Sequence, residues 1–375
     1  MNNALHDRLT QFHRTFQQAL LPLVEADMGA SLSPMMQRLL RIWEYVEIER
    51  WVPSTRGYVG RPPLDRMALA RAFVAKAVLG LTQTVDLVER LNADVLLRRL
   101  CGFDTRRRGA LPECLFSRAF AEFAQQGLPG LVHEALIRRE LGDTLIAHVS
   151  RDATTIEARE KPLKATPVVP VVPTAPRKRG RPHKGEMREP KPKATTRLER
   201  QALGMSIEAM LDELPKACDV GSKRNSQGFK SSWIGYKLHL DVADGMIPIS
   251  AVLTSASVHD SQVAIPLACL SAQRITHCYD LMDAAYCSPI IRAHSETLGH
   301  VPLIDHNPRN GEKIKFAPHQ AQRFKERSTV ERVNARLKDD FGACRVNVRG
   351  HSKVFAQMMF SVLALTADQL LRWVT

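Results

Sequence analysis

Apolar positions recur at helical spacing from residue 33 to residue 126. Leu39, Leu40, Trp43, Val46 and Ile48 open the pattern, and the run from Leu64 to Phe73 continues it. Gly80-Leu81-Thr82 marks a turn, and the next helix, starting near Gln83, should turn Val85, Leu87, Val88 and Leu91 inward. A helix from Glu113 to Gln126 completes an all-helical N-terminal domain over residues 1–140. Leu145 to Ser150 then reads as an apolar strand. Near Ser232 the period changes to two: Trp233 to Val242 alternates, Asp244-Gly245 is a hairpin turn, and Ile247 to Thr254 returns. Beyond it the pattern predicts a helix capped by Asp260 and running through Leu270, a strand from Thr276 to Met282, a helix opened by Ser288-Pro289, and a strand from Val301 to Ile304. Two helices, near Phe324 to Phe341 and Ser352 to Trp373, close an α/β domain over residues 141–375.

Composition changes this picture in one place. Residues 160–200 combine eight prolines with many Lys and Arg and few apolar anchors, which predicts a disordered, basic Pro-rich insertion. Its centre, Arg177-Lys178-Arg179-Gly180-Arg181-Pro182, resembles an AT-hook. An extended Arg-Gly-Arg-Pro segment fits a narrow minor groove, where glycine permits close approach and both guanidiniums meet enhanced negative potential. A solvated basic linker is the alternative. The whole chain carries 53 Lys and Arg against 39 Asp and Glu, a formal charge of +14, so a polyanionic partner is expected. The helix pair around Gly80 resembles a helix-turn-helix, with Arg98, Arg99 and the run Arg106-Arg107-Arg108 beside it; Gly-turned hairpins that never touch DNA share that pattern.

Other signals exclude. The N-terminus lacks the pattern of an export signal, and the longest greasy stretch, Val354 to Leu371, carries Gln357, Ser361, Thr366 and Asp368. It reads as a buried helix and not a membrane span, and a cytoplasmic, nucleoid-associated protein is expected. Seven scattered cysteines without a Cys-x2-Cys pair read as reduced, mostly buried thiols.

Three acids stand where an α/β fold focuses chemistry. Asp152 follows the first strand-like run, Asp283 follows Tyr279-Asp280-Leu281-Met282 at a strand's carboxyl end, and Glu331 lies in a helix. On that helix Phe324, Arg327, Glu331 and Lys338 share one face, flanked by an apolar stripe of Val330, Val333, Leu337 and Phe341. Taken alone, the polar stripe is equally a solvated face with Arg327 pairing Glu331. Asp241, Asp244, Asp260 and Asp280 are rival acids with ready structural roles, and His239 and His259 are candidate supports. The loop Asp305-His306-Asn307-Pro308-Arg309 is left as a DNA-contacting candidate.

Phe324-x2-Arg327-x3-Glu331-x6-Lys338 resembles the Tyr-x2-Arg-x3-Glu-x6-Lys signature of bacterial insertion-sequence DDE transposases, in the groups named for insertion sequences 4 and 5. Phe324 departs from the Tyr. Ser150-Arg151-Asp152-Ala153-Thr154-Thr155, Gly235-Tyr236-Lys237-Leu238-His239, Ser257-Val258-His259-Asp260-Ser261 and Asp283-Ala284-Ala285-Tyr286 match the same family, and Gly60-Arg61-Pro62-Pro63 resembles the opening of its helical domain. The resemblance implies an RNase H-like catalytic fold, with Asp152 on the first strand, Asp283 after the fourth and Glu331 on the helix after the fifth. It also implies two Mg²⁺ ions, with Mn²⁺ as a substitute, on Asp152, Asp283 and Glu331. Arg327 and Lys338 would contact DNA, with Phe324, Lys237 and His239 supporting. The implied partners are double-stranded terminal inverted repeats, target DNA and a second protomer, with no membrane and no nucleotide cofactor. A DNA-binding relative that has lost transposition and a nuclease without strand transfer are the rival functions.

Overall fold

The computed structural model describes residues 32–53, 65–103, 109–162, 195–224, 227–308 and 312–373. Gly60 to Pro63, Arg106 to Arg108 and Lys178 to Pro182 therefore lie outside the described residues, with most of the basic Pro-rich insertion.

Among the described residues six helices come first: α1 (Pro34–Val46), α2 (Arg66–Val78), α3 (Thr84–Ala93), α4 (Val95–Leu100), α5 (Glu113–Gln126) and α6 (Leu128–Leu141). The Ser33 and Asp65 side chains accept from backbone N–H groups at the starts of α1 and α2, satisfying donors that have no helical partner. Leu39, Trp43, Val46, Leu87, Val88 and Leu91 are buried as their spacing predicts. Val85 is not: it lies off the Leu87–Leu91 face in the first turn and is 41% exposed.

The sheet is mixed. Its strands are β1 (Leu145–Ala158), β2 (Asp219–Arg224), β3 (Lys230–Ala243), β4 (Ile247–Ser255), β5 (Thr276–Met282), β6 (Val301–Ile304) and β7 (Arg345–Val346). The order is β2-β3-β1-β5-β6, with β4 beside β2 on the same edge of β3 and β7 joined to the end of β1. β3 runs antiparallel to β1, β2 and β4, whereas β5 and β7 run parallel to β1 and β6 parallel to β5. The predicted hairpin is therefore β3–β4. β2 was not predicted, because Asp-Val-Gly-Ser-Lys-Arg has no apolar alternation; it moves Asp283 from after the fourth strand to after the fifth.

Helices α7 (Arg197–Ala202), α8 (Ile207–Asp212), α9 (Ala264–Ala272), α10 (Pro289–Thr297), α11 (Pro318–Phe324), α12 (Ser328–Asp339) and α13 (His351–Arg372) flank the sheet. α7 begins inside the stretch expected to be disordered, where Thr196 and Glu199 form a capping box. The cap expected of Asp260 is made by His259, which accepts from Ser261 N–H at the start of a 3₁₀ turn leading into α9. The single helix expected over Phe324 to Phe341 is split by a 3₁₀ turn at Lys325–Arg327. There the Ser328 hydroxyl donates to the Lys325 carbonyl, a local bond that competes with the α-helical ladder.

α13 is long and apolar enough to cross a membrane, yet it is buried against α6, α2, β4, α1 and α5. Its polar side chains are satisfied inside: Asp368 pairs with Arg38, Arg336 and Arg372, and His133 bonds Thr366. One continuous apolar cluster consequently runs from the helical region into the sheet. The Gly80 turn abuts the carbonyl of Asp340 and Gly342 just past α12, so the helical region also braces that helix. All seven cysteines are free thiols; only Cys101 and Cys218 are buried, fewer than expected, because the others lie on half-covered or exposed faces.

Candidate active site

Strand register brings the first two acids together. Arg151 is paired with Met282, the last residue of β5, so Asp152 and Asp283 follow on adjacent strands at the same end of the sheet. Asp283 also accepts from Ala285 N–H at 2.9 Å, which fixes its side chain at the head of a short 3₁₀ turn. The third acid arrives on α12, whose stripe of Val330, Val333 and Leu337 is buried as predicted, with Phe341 buried just past its end. That packing turns the Arg327–Glu331–Lys338 stripe toward β1.

The three carboxylates converge on one guanidinium. Arg327 Nη2 lies 3.8 Å from Asp152 Oδ1 and 3.7 Å from Asp283 Oδ2, and Nη1 lies 2.5 Å from Glu331 Oε1. The stripe also contains a residue that sequence reading missed. Asn334, one turn beyond Glu331, donates to Asp152 Oδ2 at 3.4 Å, and its own Oδ1 is buried without a hydrogen-bond partner. Its spacing from Arg327 and Lys338 was the available signal. Lys338 donates to Thr155 at 3.3 Å, three residues along β1 from Asp152.

Other expected residues are placed differently. Phe324 belongs to the preceding helix, on the far side of the 3₁₀ turn, and packs on Phe316 with ring centroids 4.7 Å apart. The turn removes it from the polar stripe. Lys237 spends its ammonium on the Val258 carbonyl and on Asp260, at 2.8 and 2.9 Å, and is thereby a structural support. His239 is fully buried and bonded to Thr254; burial lowers its pKa to about 4, so it is neutral. Gly235, which opens the same phrase, permits the close β1–β3 approach: a side chain there would meet the Ile156 carbonyl at 2.0 Å. His259 bonds Ser261, and Asp305 pairs with Lys313.

The rival acids have structural work. Asp241 is buried with Arg151 on its two oxygens at 2.7 and 2.8 Å, and Asp244 holds His148 through both backbone and ring. Asp280 is buried under His277, His300 and Ser295, with Arg151 3.7 Å away. His277, Asp280 and His300 are close enough to share an ion, but those protein donors already occupy both carboxylate oxygens.

Charge at the triad is unbalanced. Burial raises the Asp152 pKa from 3.8 to about 6; the Ala153 N–H and Arg327 oppose the rise, and Asp283 and Asp260 add to it. Burial raises Asp283 as well, against Arg327 and with Asp260 and Asp305. Burial works against the charged form of Arg327, yet Glu331, Asp152 and Asp283 outweigh it and hold the guanidinium above its ordinary range. One cation thus faces three carboxylates, with Asp260 close behind. An all-oxygen donor set short of positive charge suits a hard divalent cation such as Mg²⁺.

This imbalance has a measurable consequence. Between about pH 4 and about pH 6 the folded chain holds the Asp152 proton that the unfolded chain has lost, so stability falls as pH rises through that window. A shift of that size is worth at most about 3 kcal/mol. Without metal, Asp152→Asn should therefore be more stable than wild type at neutral pH, and the difference should vanish near pH 4. Thermal melts of both proteins across that range in chelator check it; equal melting temperatures at pH 7 would contradict the burial argument.

Comparison with known families agrees with this geometry. The family model described as Transposase DDE domain matches residues 147–367, which include all three acids and the whole sheet except the first two residues of β1. A second, described as Transposase domain (DUF772), matches residues 30–117, in the helical region. Among curated proteins no match was found. The first match spans more than half of the chain, and the chain belongs to the DDE transposases.

Proposed function

We propose that this chain is the transposase of a bacterial insertion sequence, of the insertion sequence 4 and 5 groups, built on an RNase H-like catalytic fold. It binds the element's terminal inverted repeats, cleaves at their ends and joins the freed 3′-hydroxyl to target DNA. The observation that carries this reading is the meeting of Asp152, Asp283 and Glu331 at the Arg327 guanidinium. Four separate elements deliver the three acids and the guanidinium, namely β1, the end of β5, α12 and the 3₁₀ turn before it, and a solvated i,i+4 pair alone would not need them to meet.

Asp152, Asp283 and Glu331 would hold two Mg²⁺ ions. When bound, such ions supply Lewis-acid charge for in-line displacement at a phosphodiester. The residues of the chain do the rest. Asn334 orients Asp152 by donating to the oxygen that Arg327 does not approach. Arg327, turned into the site from the 3₁₀ turn, and Lys338, on α12, neutralise phosphate oxygens and position the strand. The helical region contributes the helix pair around Gly80 to repeat recognition, and two protomers pair the element's ends. The AT-hook-like segment, Lys178 to Pro182, adds minor-groove contacts.

Incubating the full chain with its flanking genomic DNA and Mg²⁺ or Mn²⁺, then sequencing the products, tests the reading. Nicks that leave 3′-hydroxyls at the repeat ends, followed by joined molecules, are expected. Cutting without joining would favour a nuclease, and binding with neither would favour a silenced relative.

A further inference from the structure

A second basic feature stands beside the acidic site. β3 pairs with β1 only as far as Gly235 opposite Glu157, and with β4 only from Tyr236 onward. Residues 230–234 therefore have β2 as their sole neighbour among the described strands, forming a two-stranded arm roughly 17 Å long. Such ribbons are marginal by themselves. This one is stiffened by Trp233, which lies over Gly221, its cross-strand partner; a Cβ there would come within 2.3 Å of the ring. The Trp233 indole also donates to the Tyr236 carbonyl.

The arm's surface is unusual for a water-facing ribbon. Phe229 is 70% exposed, Val220 49% and Ile234 44%, next to the exposed Lys223 and Lys230. Lysine on an edge strand can serve only to block aggregation, but that role does not call for an exposed Phe beside it. The arm also continues the site. Lys338, bonded to Thr155, has its pKa lowered by burial and then by the nearby Lys223, against Cys344, Glu157 and Asp339, which places the Lys223 ammonium on the Lys338 side of the arm. Neither Lys223 nor Lys230 has a carboxylate partner among the described residues.

We propose that the β2–β3 arm is a second DNA grip, in which Lys223 and Lys230 hold phosphates of the strand leaving the site and Phe229 stacks on an unpaired base. The proposal rests on the transposase reading. Charge complementarity favours nucleic acid over a second copy of this chain, whose formal charge is +14. An aromatic side chain among cations is the usual composition of a single-strand platform.

Binding of the full chain to fluorescent DNA drawn from the flanking genomic sequence tests this, using a plain duplex and a duplex with a single-stranded tail. Lys223→Ala with Lys230→Ala should weaken binding to both and lower the salt slope by about 2. Phe229→Ala should weaken the tailed DNA by roughly fivefold or more while sparing the duplex, and Phe229→Tyr should restore it. Unchanged affinities and salt slope overturn the proposal. So does a loss of self-association, seen by sedimentation, with DNA binding intact. Wild type that binds but never cuts would sink the transposase reading while leaving these measurements interpretable; wild type that cuts, with variants that bind normally, would sink the arm alone.

Discussion

Asp152→Asn, Asp283→Asn and Glu331→Gln should each abolish strand cleavage while leaving DNA affinity and circular dichroism close to wild type. Each change removes one formal charge from an all-oxygen site at nearly constant volume. Loss of an outer partner of a metal site typically costs about 10–100-fold in affinity or activity, and loss of a direct ligand should exceed that range. Asn334→Ala provides the graded comparison. It removes the donor to Asp152 Oδ2 without touching a carboxylate, so its cleavage rate should fall within that outer-partner range. Single-turnover cleavage of saturating DNA reads all four variants. Residual cutting by Asp152→Asn above the rate of Asn334→Ala would remove Asp152 from the ligand set. Because Asp152→Asn is also expected to be the more stable protein without metal, loss of activity in it cannot be ascribed to unfolding.

The acids were legible because their neighbourhoods are local. A strand-like run before Asp152, small residues after Asp283 and a three-four-seven spacing around Glu331 are readable without knowing the fold. What the spacing could not say is what the stripe faces. Asn334 is a site residue only because α12 crosses β1 at Asp152, and that crossing is set by packing of Val330, Val333 and Leu337 elsewhere in the core. Phe324 was misplaced for the converse reason: a helical wheel assumes a continuous helix, and the 3₁₀ turn at Lys325–Arg327, with the Ser328 hydroxyl on the Lys325 carbonyl, breaks that continuity directly after Phe324. Lys237 was expected only as a support, and what it supports was not legible, because its partner Asp260 lies 23 positions away, beyond the reach of any local pattern. β2 escaped because its pairing is supplied by Trp233 and Gly221 and not by alternation of its own residues.

The largest stability loss should come from Arg151→Met, about 3–5 kcal/mol in urea unfolding of the metal-free protein. Arg151 is among the largest fully buried side chains and balances two buried carboxylates at once: Asp241 through two bonds, and Asp280 at 3.7 Å. Burial by itself would raise the Asp280 pKa, yet His277, His300 and Arg151 hold it well below the ordinary carboxylate range, so the acid stays charged. Removing the guanidinium leaves two anions sharing its former space with only hydroxyl and imidazole donors, and the loss would be a large part of the ~5–15 kcal/mol that holds a typical domain. Asp241→Asn should cost less, because Arg151 keeps Asp280 and the amide oxygen still accepts from Arg151 and Ser271. The double variant should cost less than the sum of the two, since the second change removes one of the charges that the first leaves unpaired. Additive losses, or an Arg151→Met penalty under about 1 kcal/mol, would mean that the network is solvated or rearranged. The clamp has a functional side as well. Arg151 immediately precedes Asp152 on β1, and Asp280 lies three residues before Asp283 on β5, so the same buried charges that resist unfolding hold the two strands at the separation the acids need. A partly folded Arg151→Lys, which keeps the charge and loses the bidentate fork, should therefore lose divalent-ion affinity before it loses its helical content.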